Sequence, residues 1–296
     1  MSSPIRVETI TLGDELLLGI RENAHLTYLG IQLAHHGIEP AANLVIRDNP
    51  DDIHLFFSES WKRSDLIITT GGLGPTTDDL TRESIAKALD EKLVFDGSVE
   101  QAIQDRFKSL HREMPENNLK QCYRPENAEI LSNPYGTAPG LFLKKDGKIL
   151  VMLPGPAREM HPMFEDQVVP RLQKEGIFPE IDCYLQIRTA GIGESALAEI
   201  VEPLLDNVDG LILGYCAHAG MVDIRLSSLD SDILSEEKLH QLADQCREAL
   251  GDDFVCFGDR TLAEVIFREL RGLNKTLAVA ESCTGGLLSS QFTEIA

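Results

Sequence analysis

Asp65-Leu-Ile-Ile-Thr-Thr-Gly-Gly-Leu-Gly-Pro-Thr-Thr-Asp-Asp-Leu-Thr-Arg-Glu83 is the stretch that decides the fold. Leu66 to Thr70 is an unbroken, β-branched run of the kind that forms a strand buried on both faces. It passes directly into a glycine-rich loop, then two acids, then a helix that starts near Thr81. Gly71, Gly72 and Gly74 carry no Cβ, so backbone N–H groups there can approach a phosphate closely. The following helix points its positive end at the same spot. Thr76 and Thr77 add hydroxyl donors, and Asp78 and Asp79 can hold a hard metal ion that bridges phosphate oxygens. A plainer reading competes: glycine-rich turns are common in α/β proteins, and Asp79 or Thr81 can act only as a helix cap. The loop lacks the Walker lysine and the GxGxxG spacing, so neither a P-loop NTPase nor a dinucleotide-binding turn is indicated.

Working outward, Ile5 to Thr11 reads as a strand that ends at Gly13-Asp14-Glu15. A helix follows with Leu26, Leu29 and Leu33 on one face, stopping at Gly37. Ala42 to Ile46 reads as a strand that delivers Asp48, Asp51 to Trp61 as a helix, and Thr81 to Leu89 as another. Strands alternating with helices predict a parallel sheet with right-handed crossovers. Ligands of such sheets bind at the carboxyl ends of the strands. Gly13-Asp14, Asp48 and Gly71 to Asp79 all fall at such ends, which predicts one shared site.

Glu100 to Met114 has helical spacing. Asn133-Pro-Tyr-Gly-Thr-Ala-Pro-Gly140 reads as a loop before a strand from Leu141 to Lys144, with Asp146-Gly147 turning the chain into Ile149 to Leu153. Pro154-Gly-Pro-Ala-Arg-Glu-Met160 is a second turn opening onto a helix. Either loop can close over a ligand, or both are turns set only by Pro and Gly. Pro179 to Asp182 reads as a boundary. Beyond it come a strand (183–189), a helix with Leu197, Ile200, Val201 and Leu204 inward, strands at 211–216 and 222–229, a helix (235–250) and a strand (254–257). That is the β-α-β-β-α-β order of a small α+β domain. Gly191-Ile-Gly193 can be read as a binding loop, but a helix-entry turn is the stronger reading. A last piece has a helix (261–270), a strand (276–280) and Glu281-Ser-Cys-Thr-Gly-Gly286 opening a further helix. Its hydroxyl sits where hydrolases place a nucleophile. So short a segment cannot bury its own apolar faces, which predicts either a truncated domain or packing elsewhere.

The 296 residues suggest about two domains, with a third small one possible. A net charge of −21 repels nucleic acid and anionic membrane. An anionic substrate then needs metal ions or local Lys and Arg to neutralise its site. The six cysteines lie far apart with no CxxC pair, against a zinc ribbon or a disulfide framework. With no signal peptide and no long apolar run, the cytoplasm is the expected location.

Six ordered motifs together carry a resemblance. They are Gly13-Asp-Glu-Leu-Leu-Leu-Gly19, Gly71-Gly-Leu-Gly-Pro-Thr-Thr-Asp-Asp-Leu-Thr81, Asn133 to Gly140, Leu153-Pro-Gly155, Gly191-Ile-Gly-Glu-Ser195 and Glu281-Ser-Cys-Thr-Gly-Gly286. In this order the chain resembles the CinA (competence/damage-inducible protein A) family over essentially its whole length. The resemblance implies an α/β, three-layer, parallel-sheet molybdopterin-binding-like domain over residues 1–178. It implies a KH-like α+β domain over 179–258, and over 259–296 the truncated start of a nicotinamide-mononucleotide deamidase domain, an activity tied to NAD recycling. For the first domain it implies metal-dependent hydrolysis of ADP-ribose to AMP and ribose 5-phosphate. Asp79 then matches the acid after the Gly-Gly-x-Gly loop, Asp48 the acid ending the preceding strand, and Asp14 lies in the Gly-Asp-Glu turn. Ser282 matches the deamidase nucleophile, whose lysine and tyrosine partners should lie beyond Ala296. Two departures stand out: the usual Asp-Thr-Asn is Asn23-Ala24-His25 here, and the usual Pro-Gly-Val-Pro is Pro154-Gly-Pro-Ala.

The expectation is therefore a metal-dependent ADP-ribose pyrophosphatase using Mg²⁺, Mn²⁺ or Co²⁺. Asp48 and Asp79, with Asp78 or Asp14, hold the metal. Gly71, Gly72, Gly74, Thr76, Thr77, Gly13 and Glu15 contact a small nucleotide substrate, with neither nucleic acid nor membrane as partner. A homo-oligomer is a family-level expectation. A pterin- or nucleotide-binding module without chemistry is the rival reading, and an amidase working through Ser282 is a third.

Overall fold

The computed structural model describes residues 5–179, 183–228 and 233–295. Contacts group them into two compact units, one up to residue 180 apart from 35–37, the other taking 35–37 and the residues after 180.

The first unit begins with Val7–Leu12 (β1), buried at every position. Asp14–Leu17 (α1) is a single turn, and Ala24–His35 (α2) leads to Ala42–Ile46 (β2). Pro50–Arg63 (α3) starts with Asn49 accepting from the Asp51 and Asp52 N–H groups, a side-chain cap reinforced by Pro50 in the first turn. Leu66–Thr70 (β3) and Thr81–Ala88 (α4) follow as the sequence predicts. Next come Leu93–Phe95 (β4), Gly97–Ser109 (α5), Tyr123–Pro125 (β5), Ala128–Leu131 (β6), Gly140–Lys145 (β7), Lys148–Leu153 (β8), Ala157–Met163 (α6) and Val169–Lys174 (α7).

Six strands form one sheet in the order β2-β1-β3-β8-β7-β6. The pairs β1–β2, β1–β3 and β3–β8 are parallel. The expected parallel sheet is extended at one edge by β7 and β6, each antiparallel to the strand before it in that order, so that β7 alone runs against the rest. The cause is local: Asp146 and Gly147 both adopt positive φ, 54° and 74°, the two-residue turn that matches strand twist and reverses the chain. Alternation along β3 divides the core. Leu66 and Ile68 join Val7, Leu29 and Phe164 on one face, while Ile67 joins Ile10, Phe57 and Ile85 on the other. The result is three layers with the sheet in the middle.

Three local expectations shift. Leu26 is 38% exposed, so the buried stripe of α2 is Leu29 and Leu33. The helix expected over 100–114 starts earlier, because Asp96 caps it by accepting from Ser98 N–H, and stops before His111 at φ 55°. The short β4–β5 ribbon carries no alternation long enough to read from sequence.

In the second unit, Tyr184–Ala190 (β9), Glu194–Leu205 (α8), Leu211–His218 (β10), Met221–Ser228 (β11), Glu236–Leu250 (α9) and Phe254–Phe257 (β12) keep the expected β-α-β-β-α-β order. Its sheet, β10-β11-β9-β12, is antiparallel throughout. On α8 the buried row is Leu197, Val201 and Leu205, each four residues apart, whereas the expected Leu204 is 37% exposed. The expected boundary at 179–182 falls partly on 180–182, and the expected strand end at Leu229 falls on 229; these residues lie outside the described ones, as does Ala296. Leu262–Gly272 (α10) is closed at its start by a reciprocal Thr261–Glu264 capping box. The strand expected over 276–280 does not form, since no described strand offers it a ladder. Leu287–Thr293 (α11) closes the chain. Leu273, Leu277, Leu287 and Ile266 remain exposed here, as expected for a segment too small to cover itself. Cys122, Cys183, Cys246 and Cys256 are buried, and Cys216 and Cys283 are exposed. Among the described residues, no helix is long and apolar enough to cross a membrane.

One buried charge anchors the first unit. The Glu8 side chain on β1 is fully buried and accepts from Arg63 Nε (2.7 Å) and Nη2 (2.9 Å) and from Arg6 Nε (3.1 Å) and Nη2 (2.9 Å). Burial alone would raise this carboxyl, but the hydrogen bonds from the two arginines outweigh it and hold it at about 2. Because the folded value lies below the ordinary 4.5, the contribution is complete above pH 4.5 and is lost as pH falls toward 2. Glu8→Gln should cost about 1–2 kcal/mol at pH 7, the arginines being half-exposed and able to rehydrate. Urea unfolding measures this, and the gap to wild type should close between pH 4.5 and 2.

Candidate active site

Parallel pairing places the carboxyl ends of β1, β2, β3 and β8 on one edge of the sheet. Register holds them level: Leu12 pairs with Ile46, Thr11 with Thr70, and Thr70 with Leu153. The loops that leave these ends line one cleft of about 680 Å³. Gly71 N–H donates to Leu153 O at 3.0 Å, tying the β3 exit to the β8 exit. Gly13 N–H donates to Ile46 O at 3.3 Å and does the same for β1 and β2.

Gly71, Gly72 and Gly74 all line the cleft. Gly72 has φ 67°, and a Cβ there would collide with the Thr81 hydroxyl, so only glycine fits. Thr81 Oγ1 is already committed, donating to Gly71 O at 3.0 Å. No side chain caps α4. The capping role open to Asp79 or Thr81 in the sequence is therefore taken by neither, and the loop faces the cleft with backbone.

Two acids meet at the neighbouring strand ends. Asp14 N–H donates to Asp48 Oδ2 and Asp48 N–H donates to Asp14 Oδ1, each at 3.3 Å. The reciprocal bonds hold two carboxylates side by side. Burial pushes the Asp48 carboxyl up to about 6; the Asp14 N–H bond opposes this, and repulsion from Asp14, Glu15 and Asp78 adds to it. Asp78 is exposed, and the nearby Thr76 hydroxyl draws its carboxyl below the ordinary value. Asp79 is folded into its own loop: Thr76 N–H donates to its Oδ2 at 2.9 Å, and the Thr76 hydroxyl bonds the same oxygen. Lys120 Nζ grips the loop from outside, donating to Thr76 O at 2.9 Å and to Asp79 O.

Of the residues singled out in the sequence, Gly13, Glu15, Asp48, Gly71, Gly72, Gly74, Asp78 and Asp79 border the cleft. Asp14 reaches it through Asp48. Thr76 and Thr77 are exposed beside it rather than in its lining, and the Thr76 hydroxyl serves Asp79. Both loops left open in the sequence do reach the cleft, through Thr137 and Ala138 and through Pro154 to Ala157. Asn133 shapes the first: its Oδ1 accepts from Tyr135 and Gly136 N–H, and its Nδ2 donates to Ala138 O (2.7 Å) and Glu159 Oε2 (2.8 Å).

Sequence reasoning missed Lys120, Gln121, His25 and Glu159. Lys120 and Gln121 belong to a 3₁₀ segment with no motif. Asn23 and His25 stand in the departure from the family pattern. Asn23 Oδ1 accepts from Leu26 N–H at the start of α2, and its Nδ2 bridges Thr11 and Asn43. His25 Nδ1 lies 2.9 Å from Thr70 Oγ1, and burial holds the ring below its ordinary pKa.

Ser282 belongs to the second unit. It is exposed, and among the described residues its Oγ meets only Cys283 Sγ at 3.8 Å. Glu281 organises this turn, accepting from Thr284 Oγ1 (2.8 Å), Leu288 N–H (2.9 Å) and Ser289 N–H (2.8 Å). Hydrogen bonds from Ser289 first, then Leu288, hold its carboxyl at about 2.

Comparison with known proteins agrees with this architecture. Residues 8–174 match the model of a probable molybdopterin binding domain, 186–256 that of the damage-inducible protein CinA KH domain, and 259–296 that of the CinA C-terminal domain. A CinA-like protein of Kosmotoga olearia is 42% identical over 99% of this chain and 71% of its own length. A putative competence-damage inducible protein of Clostridium botulinum is 40% identical over 97% of this chain and 70% of its own. The crystal structure of a CinA protein of unknown function from Thermoplasma acidophilum superposes with a TM-score of 0.52 at 31% identity, covering 59% of this chain and 99% of that one. The chain therefore belongs to the CinA family, with a molybdopterin-binding-like α/β domain followed by the family's KH domain and residues that match its C-terminal domain.

Proposed function

We propose that the cleft of the first unit hydrolyses ADP-ribose to AMP and ribose 5-phosphate with the help of a divalent ion, Mg²⁺, Mn²⁺ or Co²⁺. The observation that carries this reading is the reciprocal Asp14–Asp48 pair at the edge of the cleft whose wall is the Gly71–Gly74 backbone. Burial raises the Asp48 carboxyl, repulsion from Asp14, Glu15 and Asp78 adds to it, and a cation would relieve both. The donor set fits a hard, oxygen-seeking ion. Among the described residues no three His, Cys, Asp or Glu side chains form a ready cage. That suits an ion held by one or two carboxylates and completed by water and substrate phosphates. When bound, such an ion neutralises the diphosphate and makes a water acidic enough to attack phosphorus.

The chain's own residues do the remaining work. The N–H groups of Gly72, Leu73 and Gly74 donate to phosphate oxygens, that of Gly71 being taken by Leu153 O. Lys120 keeps that loop in shape, and Asp79, bound to Thr76 through Oδ2, borders the cleft. Asp48 and Asp14 place the ion, with Glu15 and Asp78 as the flanking charge. The acidity of the chain, −21 overall, argues for a small substrate over nucleic acid. Ser282 has no role in this chemistry, because a serine without a neighbouring base is an unactivated alcohol.

Purified protein incubated with ADP-ribose and each metal in turn should release AMP, and EDTA should abolish release. Asp48→Asn should lower turnover at least about a hundredfold with the fold intact. Tight ADP-ribose binding without AMP under every metal would favour a binding module. The same variant tests the electrostatics separately. The folded Asp48 value, about 6, lies above the ordinary 3.8, so its charge destabilises the fold progressively as pH rises from 3.8 through 6. In EDTA, Asp48→Asn should therefore raise the Tm by a few degrees at pH 8, about 1 kcal/mol after solvent screening, and by nothing measurable below pH 4.

A further inference from the structure

Glu159 is a carboxylate that the chemistry above leaves unused. It sits in the first turn of α6 and is only 7% exposed. It nonetheless borders the cleft. Its Oε2 accepts from Asn133 Nδ2 at 2.8 Å, while Oε1 has no donor among the described residues. The fold makes room for this group: a Cβ on Gly136 would collide with the carboxylate. A nearly buried carboxylate that borders a cleft with one oxygen unpaired within the protein is placed to accept from whatever fills the cleft in place of water.

We propose that Glu159 recognises the ribose hydroxyls of the substrate, so that the cleft selects a sugar with a vicinal diol next to its phosphate. The proposal rests on the phosphate-binding reading of the Gly71–Gly74 loop. A carboxylate repels phosphate, so its partner in an anionic ligand is a neutral donor. Position favours the sugar. The turn that starts α6 leaves β8 directly after Leu153, whose carbonyl accepts from Gly71 N–H at 3.0 Å. A phosphate on the glycine loop leaves the attached sugar as the next group along the cleft. Asn133 fixes the carboxylate rotamer, so no reorganisation precedes the contact. A site built around a hydrogen bond to a substrate hydroxyl rejects the analogue that lacks it, because its buried acceptor is then left unpaired.

The test is calorimetric binding to the full chain with Mg²⁺, comparing AMP with 2′,3′-dideoxy-AMP and ribose 5-phosphate with 2-deoxyribose 5-phosphate. Wild type should prefer the hydroxylated member of at least one pair by about tenfold or more, as a hydrogen bond to a charged acceptor predicts. The pair that responds identifies which ribose is read. Glu159→Gln keeps an oxygen for Asn133 and turns the cleft-facing acceptor into a neutral donor. It should reduce the preference to within about threefold by weakening only the hydroxylated ligand. A purely structural role would weaken both members equally and leave the ratio unchanged, as would a contact to adenine. Either result overturns the proposal, as does a wild type that binds neither pair or prefers neither member. The readout does not use turnover. Diol selection through Glu159 without AMP release would sink the hydrolase reading alone, and AMP release with an unchanged ratio in Glu159→Gln would sink this inference alone.

Discussion

The parallel register of β2, β1, β3 and β8 is the constraint on which the site depends. Parallel strands send all their carboxyl ends to one edge, and the register brings Ile46, Leu12, Thr70 and Leu153 level there. Everything chemically distinctive in the first unit leaves from those four ends: Asp14, Asp48, the glycine loop and the turn that carries Glu159. A slip of one residue in β3 would exchange Ile67 with Leu66 and Ile68 between the two core faces. It would also withdraw Gly71 from Leu153. The apolar layers on both faces therefore hold the cleft in register as well as the fold.

The site is built against its own electrostatics. Glu8, at the other end of β1, is surrounded by arginine and held at about 2, whereas burial first, and then the acids around it, push Asp48 up to about 6. One carboxylate is stabilised by its surroundings and the other is not. Unrelieved charge at a cleft, on elements otherwise well satisfied, is the pattern of a site arranged for a ligand rather than for stability. Lys120 donates to loop carbonyls, and Arg21 borders the same cleft.

Much of this was legible in the sequence, for identifiable reasons. Leu66 to Thr70 reads as a buried strand because its apolar run is unbroken, and Gly13-Asp14, Asp48 and Gly71 read as one site because each ends such a strand. The KH-type unit reads correctly because each strand and helix has its own period. What stayed hidden depends on tertiary neighbours. Glu159 lies inside a turn quoted from the sequence, yet only Asn133 and Gly136, over twenty residues away, show that it faces the cleft. Lys120 belongs to no motif. Thr76 looked like a ligand group and proved to be a partner for Asp79. Residues 276–280 have strand composition, but a strand needs a neighbour, and none of the described strands is one.

The measurement closest to the central claim is a crystal soaked with Mn²⁺ and the α,β-methylene analogue of ADP-ribose, read by anomalous scattering. Manganese should appear between Asp14 and Asp48, with the analogue's phosphonate oxygens against the N–H groups of Gly72 to Gly74. Manganese bound elsewhere, or an analogue seated away from the glycine loop, would contradict the assignment of this cleft as a metal-assisted pyrophosphate site.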